Sequence, residues 1–394
     1  MNKNTSDISV KTEKPDFFKM DRRTFLKTAC LLGASAFLGT YRTEIVRALE
    51  TAETKLVWLH GAECTGCTES LLNGGDPNVL SALQALDAKL AYHETLLAGQ
   101  GIFVDGQPAN TTELNSEILV DELIEEGNYI LVVEGAIPNG PEGSGRFFMV
   151  GNRTFKELFA KAAGNADAIL AVGTCAAYGG INSANSAIAQ LTDYRGVAFT
   201  KNDSSGGMLQ ELGVNKPVIN IPGCPAHPDW ILLTLSAVIL GKIRIPEDLP
   251  SVLDGYGRPK AYFSEDVHDE CPRHDYYERD EFDTEIGGYK CLFKLGCKGK
   301  RANADCSIRK WNGGTSMCVQ AGSPCIACVE PGFPDSSRPF YTQGSGGFDG
   351  RESDDIKGDD GKGDGVDSYD GTSSESDSYD TDSRRDSFYR RGDD

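Results

Sequence analysis

Two things are missing from this chain: an apolar run long enough to cross a bilayer, and positive charge. The mildly apolar stretch Thr28 to Gly39 is too short and too rich in Gly, Ala and Thr to be a membrane span, and no apolar stretch closes the C-terminal end. Lys and Arg number 39 against 59 Asp and Glu, a formal charge of -20 with a pI near 4.7. That balance argues against nucleic acid or anionic lipid as a partner and suits a soluble protein that meets a basic one. At 394 residues the chain is too long for a single small module and has room for two or three domains. What it holds in unusual number is cysteine, 12 in all. They are too clustered to be packing thiols and too many for one nucleophile, which leaves disulfides or metal ligation.

The N-terminal segment is not part of the fold. Asp21-Arg22-Arg23-Thr24-Phe25-Leu26-Lys27, the weakly apolar run after it and a small-residue cleavage site near Ala48 make a twin-arginine leader, with Asp21 where Ser or Thr is usual. Residues 1–48 are therefore expected to be removed, the mature protein is expected in the periplasm, and Cys30 leaves with the leader. This route exports proteins already folded around a cofactor, so it agrees with metal ligation.

From Lys55 to about Pro250, apolar runs alternate with helical patterns. Strands are predicted at Lys55 to Leu59, Lys89 to Leu97, Asn128 to Val133, Ala168 to Val172 and Pro217 to Ile221. Helices are predicted at Val79 to Leu86, Thr112 to Glu126, Thr154 to Ala163 and Asp229 to Leu240. This is the pattern of an α/β, doubly wound parallel sheet. Three of the strands run into cysteine: Cys64 and Cys67 after the first, Gly173-Thr174-Cys175 after the fourth and Pro222-Gly223-Cys224-Pro225 after the fifth. Strand ends share one crest, so these four thiols can converge, and four thiolates are a full ligand set for a [4Fe-4S] cluster. Cys64 and Cys67 alone would also suit a thioredoxin-type pair, and Glu63 to Ser70 looks superficially like a flavodoxin phosphate loop. Neither accounts for Cys175 and Cys224.

Beyond Leu253 the alternation stops and Cys and His fall among Gly, Asp and short helical fragments, as in a loop-rich domain held by metal centres. The ligand order is His268, Cys271, Cys291, Cys297, Cys306, Cys318, Cys325 and Cys328. Without Cys30, the cysteines and His268 make twelve donors, three sets of four, whereas a pure disulfide scheme would leave one thiol over. Tetrahedral zinc competes for this second region. From residue 343 onward the chain is Gly, Ser and Asp with sixteen acids against seven bases, a solvated tail carrying nearly half the net charge. The expected organisation is a leader over 1–48, an α/β domain over 49–250, a metal-rich domain over 251–342 and a disordered acidic tail over 343–394.

Five motifs together resemble the small, electron-transferring subunit of nickel-iron hydrogenases. They are Glu-Cys-Thr-Gly-Cys-Thr-Glu-Ser at 63–70, Gly-Thr-Cys-Ala at 173–176, Pro-Gly-Cys-Pro at 222–225, His-x2-Cys-Pro at 268–272 and Gln-Ala-Gly-x-Pro-Cys-Ile-x-Cys at 320–328. The resemblance spans the leader and roughly Leu56 to Tyr341. It implies a flavodoxin-like domain with a proximal [4Fe-4S] cluster on Cys64, Cys67, Cys175 and Cys224, and a distal [4Fe-4S] cluster on His268, Cys271, Cys291 and Cys297. Most relatives have proline where this chain has Cys318, and a [3Fe-4S] medial cluster. A fourth thiolate should retain a fourth iron, so a medial [4Fe-4S] cluster is expected on Cys306, Cys318, Cys325 and Cys328, as in the nickel-iron-selenium branch; it would be [3Fe-4S] if Cys318 were no ligand. Ser307 stands where relatives often have proline. No cysteine remains to bind nickel, so the resemblance puts the nickel-iron centre on a large-subunit partner and leaves this chain as the relay to an external acceptor. The acidic surface and the export signal favour a basic c-type cytochrome as that acceptor. Glu63, beside the proximal thiols, is a proton-route candidate.

Overall fold

Five apolar runs become five parallel strands: β1 Thr54–His60, β2 Ala88–His93, β3 Tyr129–Glu134, β4 Ala168–Val172 and β5 Val218–Ile221. Their order in the sheet is β5-β4-β3-β1-β2, the flavodoxin-like arrangement whose switch point lies between β1 and β3. The computed structural model describes residues 54–341 except 76–77, 98, 100–102, 105–106, 109–114, 202 and 204. The twin-arginine leader and the acidic tail lie outside the described residues.

Side chains alternate across a strand, so each run of apolar residues feeds two cores. Leu56, Trp58, Ile130, Val132, Leu170 and Val172 face one layer, which includes the helices α1 Gly66–Leu72, α2 Val79–Ala85 and α6 Pro228–Ile239. Val57, Leu59, Leu131, Val133, Ile169 and Ala171 face the other, covered by α3 Ser116–Glu126 and α4 Phe155–Asn165. Burial on both faces explains why β3 and β4 read as unbroken apolar runs and not as alternating ones. A capping box fixes the start of α4: Thr154 Oγ1 accepts from Glu157 N–H and the Glu157 carboxylate accepts from Thr154 N–H.

Three elements differ from the sequence expectation. β2 stops at His93, four residues early, because His93 C=O accepts from Leu96 and Leu97 N–H and its Nδ1 accepts from Thr95 N–H, closing a turn. α3 starts at Ser116, not at Thr112, with Asn115 as its N-cap. The segment after β4, to which no element was assigned, is a short helix, α5 Gly173–Tyr178.

Residues 249–341 form short helical turns and loops with no sheet of their own among the described residues. They share a core with the first half of the chain. Tyr262, Phe263, Leu292, Met317, Val319 and Val329 pack into the same layer as α6, and Trp230 of α6 meets the rings of Phe263 and Trp311 at 4.9 and 6.2 Å. The Trp230 indole N–H donates to Asp305, the residue before Cys306. The sheet thereby positions the cysteine-bearing loops by direct packing.

Candidate metal centres

Cys64 precedes α1 and Cys67 lies buried in its first turn, Cys175 is in the first turn of α5, and Cys224 follows β5. All four therefore stand at the carboxyl crest of the sheet. Gly173, at φ +87°, is the hinge that permits this: a Cβ there would approach Cys67 Sγ to 2.5 Å. Gly180, at φ +53°, likewise leaves room for Cys175, whose Sγ a Cβ would meet at 2.9 Å. Ala226 N–H donates to Cys67 Sγ at 3.4 Å, and the Asn182 side-chain amide donates to Cys175 Sγ at 3.8 Å.

The thiols are close enough to feel one another. Burial, then the Glu134 carboxylate and Cys175 and Cys224, push Cys67 far up. Burial and Cys64 push Cys175 up to about 11, and burial with Cys175 and Cys64 pushes Cys224 up to about 12. Buried thiols that hold each other protonated are matched to a multiply charged cationic centre, which stabilises their thiolates.

A second set assembles from loops. Cys306, Cys325 and Cys328 are half-buried, and Cys318 is the exposed member. Burial drives Cys306 upward, followed by Cys328, Cys325, Asp305 and Cys318, so the four are mutual neighbours. Cys328 is pushed up to about 12 by burial. Ala327 N–H donates to Cys325 Sγ at 3.4 Å.

The third set lines one small pocket: His268, Cys271, Cys291 and Cys297. Arg273 N–H donates to Cys271 Sγ at 3.4 Å. Burial and the neighbouring His274 lower the affinity of His268 for a proton, leaving a neutral ring able to donate a lone pair. Its ring meets His274 and Tyr277 at 4.8 and 4.6 Å.

The three sets are tied to one another by hydrogen bonds. The Thr174 hydroxyl accepts from Gly223 N–H, beside Cys224, at 2.9 Å and donates to Cys328 C=O, joining the first set to the second. Cys325 N–H donates to Cys297 Sγ at 3.3 Å, joining the second to the third. Cys67, Cys175 and Cys224 thus neighbour one another, Cys306 neighbours Cys318, Cys325 and Cys328, and His268 shares a pocket with Cys271, Cys291 and Cys297.

One residue escaped sequence reasoning. Glu134, the last residue of β3, is 1 % exposed and accepts four hydrogen bonds: from Cys67 N–H (3.0 Å) and Thr68 N–H (3.2 Å) on one oxygen, and from Thr68 Oγ1 (2.6 Å) and Trp58 Nε1 (3.2 Å) on the other. It caps the free donors of α1 from across the sheet. An acid closing the apolar run Tyr-Ile-Leu-Val-Val was the available signal. Glu63 accepts from Thr65 Oγ1 and pairs with His60 Nδ1, both at 3.1 Å. Burial opposes a charge on His60, but the Glu63 hydrogen bond and the fields of Glu134 and Glu94 hold its proton affinity above the ordinary value. His93 is lowered to about 3 by burial and by His60, and Glu94 is raised to about 7 by burial. His227 is structural: it caps α6 through Asp229 N–H and its Nε2 meets Lys310 C=O.

Known proteins carry the same organisation. Residues 263–341 match the family described as the C-terminal part of the NiFe/NiFeSe hydrogenase small subunit, and residues 64–238 match NADH ubiquinone oxidoreductase, 20 Kd subunit. The F420 non-reducing hydrogenase II small subunit of Methanosarcina mazei is 66% identical over 345 residues, covering 87% of this chain and 89% of the relative. The chain belongs to the nickel-iron hydrogenase small-subunit family.

The periplasmic [NiFeSe] hydrogenase small subunit of Desulfomicrobium baculatum is 36% identical over 82% of this chain and 98% of its own. Among solved structures, the recombinant [NiFeSe] hydrogenase of Desulfovibrio vulgaris Hildenborough superposes with a TM-score of 0.62 at 34% identity, over 75% of this chain and 99% of that one. The resemblance to the selenium branch is therefore real but stands at lower identity than that to the Methanosarcina mazei protein. As a hydrogenase small subunit the chain transfers electrons and pairs with a large subunit that holds the active site. Its cysteine sets are suited to iron-sulfur centres. No helix among the described residues is long and apolar enough to cross a membrane.

Proposed function

We propose that this chain holds three [4Fe-4S] clusters in single file: proximal on Cys64, Cys67, Cys175 and Cys224, medial on Cys306, Cys318, Cys325 and Cys328, and distal on His268, Cys271, Cys291 and Cys297. The observation that supports the proposal is the pair of links from the medial loops to the other two sets, Cys328 C=O to the Gly223–Cys224 loop through the Thr174 hydroxyl and Cys325 N–H to Cys297 Sγ. When bound, such clusters accept and pass on single electrons. The chain's own part is to fix their spacing, to aim backbone N–H groups at the sulfurs, and to keep water from the buried thiolates. Replacing one anionic thiolate by His268 makes the distal centre easier to reduce than an all-cysteine one.

The large subunit docks over the proximal crest. Ile181, Ile188 and Leu191, each more than half exposed, sit on the segment whose Asn182 side chain reaches Cys175, and they offer the apolar surface such a contact needs. Glu63 and His60 face that crest and belong to a proton route into the partner.

Electrons leave at the distal end to a basic c-type cytochrome. Between residues 264 and 301 the exposed acids Glu265, Asp269, Glu270, Asp275, Glu278, Asp280 and Glu285 outnumber the exposed bases Arg279, Lys294, Lys300 and Arg301. The chain is exported through its twin-arginine leader to the periplasm, is processed near Ala48, and keeps the organisation of an α/β domain over 49–250, a cluster domain over 251–342 and a solvated tail.

Co-purification tests the whole. Affinity isolation under anaerobic conditions should recover a larger nickel-containing chain in equal amount, and hydrogen should bleach the broad iron-sulfur absorption. A colourless, zinc-containing monomer would end the proposal.

A further inference from the structure

The mouth of the pocket that holds His268 differs in charge from the acid-rich segment that carries it. Tyr277 stands edge-on to the His268 ring at 4.6 Å, and the rings of Phe282 and Phe293 pack against Tyr277 at 6.1 and 5.4 Å. Two ammonium groups sit on this ring cluster. Lys300, which lines the pocket with His268 and Phe293, lies over the Tyr277 ring at 5.0 Å and donates to the Tyr277 hydroxyl at 3.1 Å. Lys294 lies over the Phe282 ring at 4.5 Å. Both lysines are exposed, and so is Phe293 at 41 %. A ring face holds a cation in place without neutralising it, so an ammonium seated there keeps its attraction for an anion.

We infer that this mouth seats the anionic edge of the electron acceptor: a planar redox group laid against Phe293, with a carboxylate on Lys300. The inference deepens the acceptor reading given above and rests on it, since it takes the His268 site as the electron exit. In a c-type cytochrome that edge is the haem with its propionates, which are anionic even on a basic protein. The acids of residues 264–301 draw such a protein in from a distance, whereas Lys300 and Lys294 act at contact and select which edge arrives. Tyr277 is the positioning residue. It holds Lys300 at the mouth while its own edge meets His268, so the seated group comes to rest beside that imidazole. Electrons pass outward one at a time, and no bond to the protein forms or breaks.

The test uses the complete heterodimer and two small acceptors of opposite charge, anthraquinone-2,6-disulfonate and methyl viologen. Equilibrium dialysis of the oxidised heterodimer without hydrogen reads disulfonate binding alone. Lys294→Gln and Lys300→Gln together should weaken it about 3- to 10-fold, and Lys300→Arg, which keeps the charge, should retain it. With hydrogen as reductant, each disulfonate takes up the two electrons of one H2 and two protons from solvent. At low acceptor concentration the ratio of disulfonate to viologen turnover should fall by a similar factor in the double variant, because the lost cations attract the first acceptor and repel the second. Disulfonate binding within about two-fold of the wild type in the double variant, or an equal loss of turnover with both acceptors, overturns the inference. A wild type without a distal [4Fe-4S] signal by EPR would instead overturn the reading of the His268 set, whatever the lysines do.

Discussion

Glu134 offers a perturbation whose cost follows from its hydrogen bonds. In a Glu134→Ala variant the Thr68 hydroxyl can turn elsewhere, but Cys67 N–H, Thr68 N–H and the Trp58 indole N–H lose their acceptor in a region where Trp58, Thr68 and the carboxylate are all at most 2 % exposed. An unsatisfied buried donor costs about 1–3 kcal/mol, and non-additivity keeps the sum of three near 4–6 kcal/mol. Glutamine is milder. Its carbonyl can keep both amides of α1, its NH2 can donate to Thr68 Oγ1, and only the indole is left unpaired, for a cost of about 2–3 kcal/mol. Against a net stability of about 5–15 kcal/mol the alanine change is severe. Calorimetry of the heterodimer at one scan rate, at about 2–4 °C per kcal/mol, should place the glutamine variant about 5 °C and the alanine variant about 10 °C or more below the wild type. An alanine variant within about 2 °C of the wild type, or a glutamine variant as unstable as alanine, would refute this account of the α1 cap.

Other expectations concern ligation, titration and docking. Cys318→Ser should convert the medial centre to [3Fe-4S], giving a new EPR signal in the oxidised protein and the loss of one iron; an unchanged spectrum would remove Cys318 from the ligand set. Glu94 is raised by burial from 4.5 to about 7, so the folded state keeps a proton the unfolded chain has already lost, and stability falls as pH rises through that window. Glu94→Gln should therefore raise stability by ~1–3 kcal/mol at pH 8 and leave it unchanged near pH 4; parallel Tm curves across this range would contradict the shift. Turnover with a basic c-type cytochrome should fall several-fold, roughly 2- to 5-fold, between low and physiological ionic strength, whereas salt-independent turnover would count against electrostatic docking.

The sheet was legible because its strands are buried on both faces. Uniform apolar runs such as Tyr129 to Val133 and Ala168 to Val172, each ending at Gly or an acid, leave few alternatives. The approach of Cys64, Cys67, Cys175 and Cys224 was legible because thiols at strand ends share a crest, whereas the loops that carry the remaining donors have no such periodicity. What the sequence hid were contacts between segments far apart in the chain. Nothing local marks Glu134 as the cap of a helix 67 residues earlier, or Thr174 as the tie to Cys328, 154 residues on. The helix at Gly173–Tyr178 was hidden for another reason. Glycine at its first position reads as a breaker, and here Gly173 is required by the approach of Cys67 Sγ. The shared core of the sheet and residues 262–329 was equally invisible, since its aromatic contacts join α6 to loops without periodicity.

The most direct test is Mössbauer spectroscopy of the 57Fe-enriched heterodimer, with iron counted against nickel. Three cubane centres, about 12 irons on this chain in addition to the partner's metal site, are the result expected from twelve donors in three groups. Two centres, or zinc in place of iron at the His268 set, would contradict it.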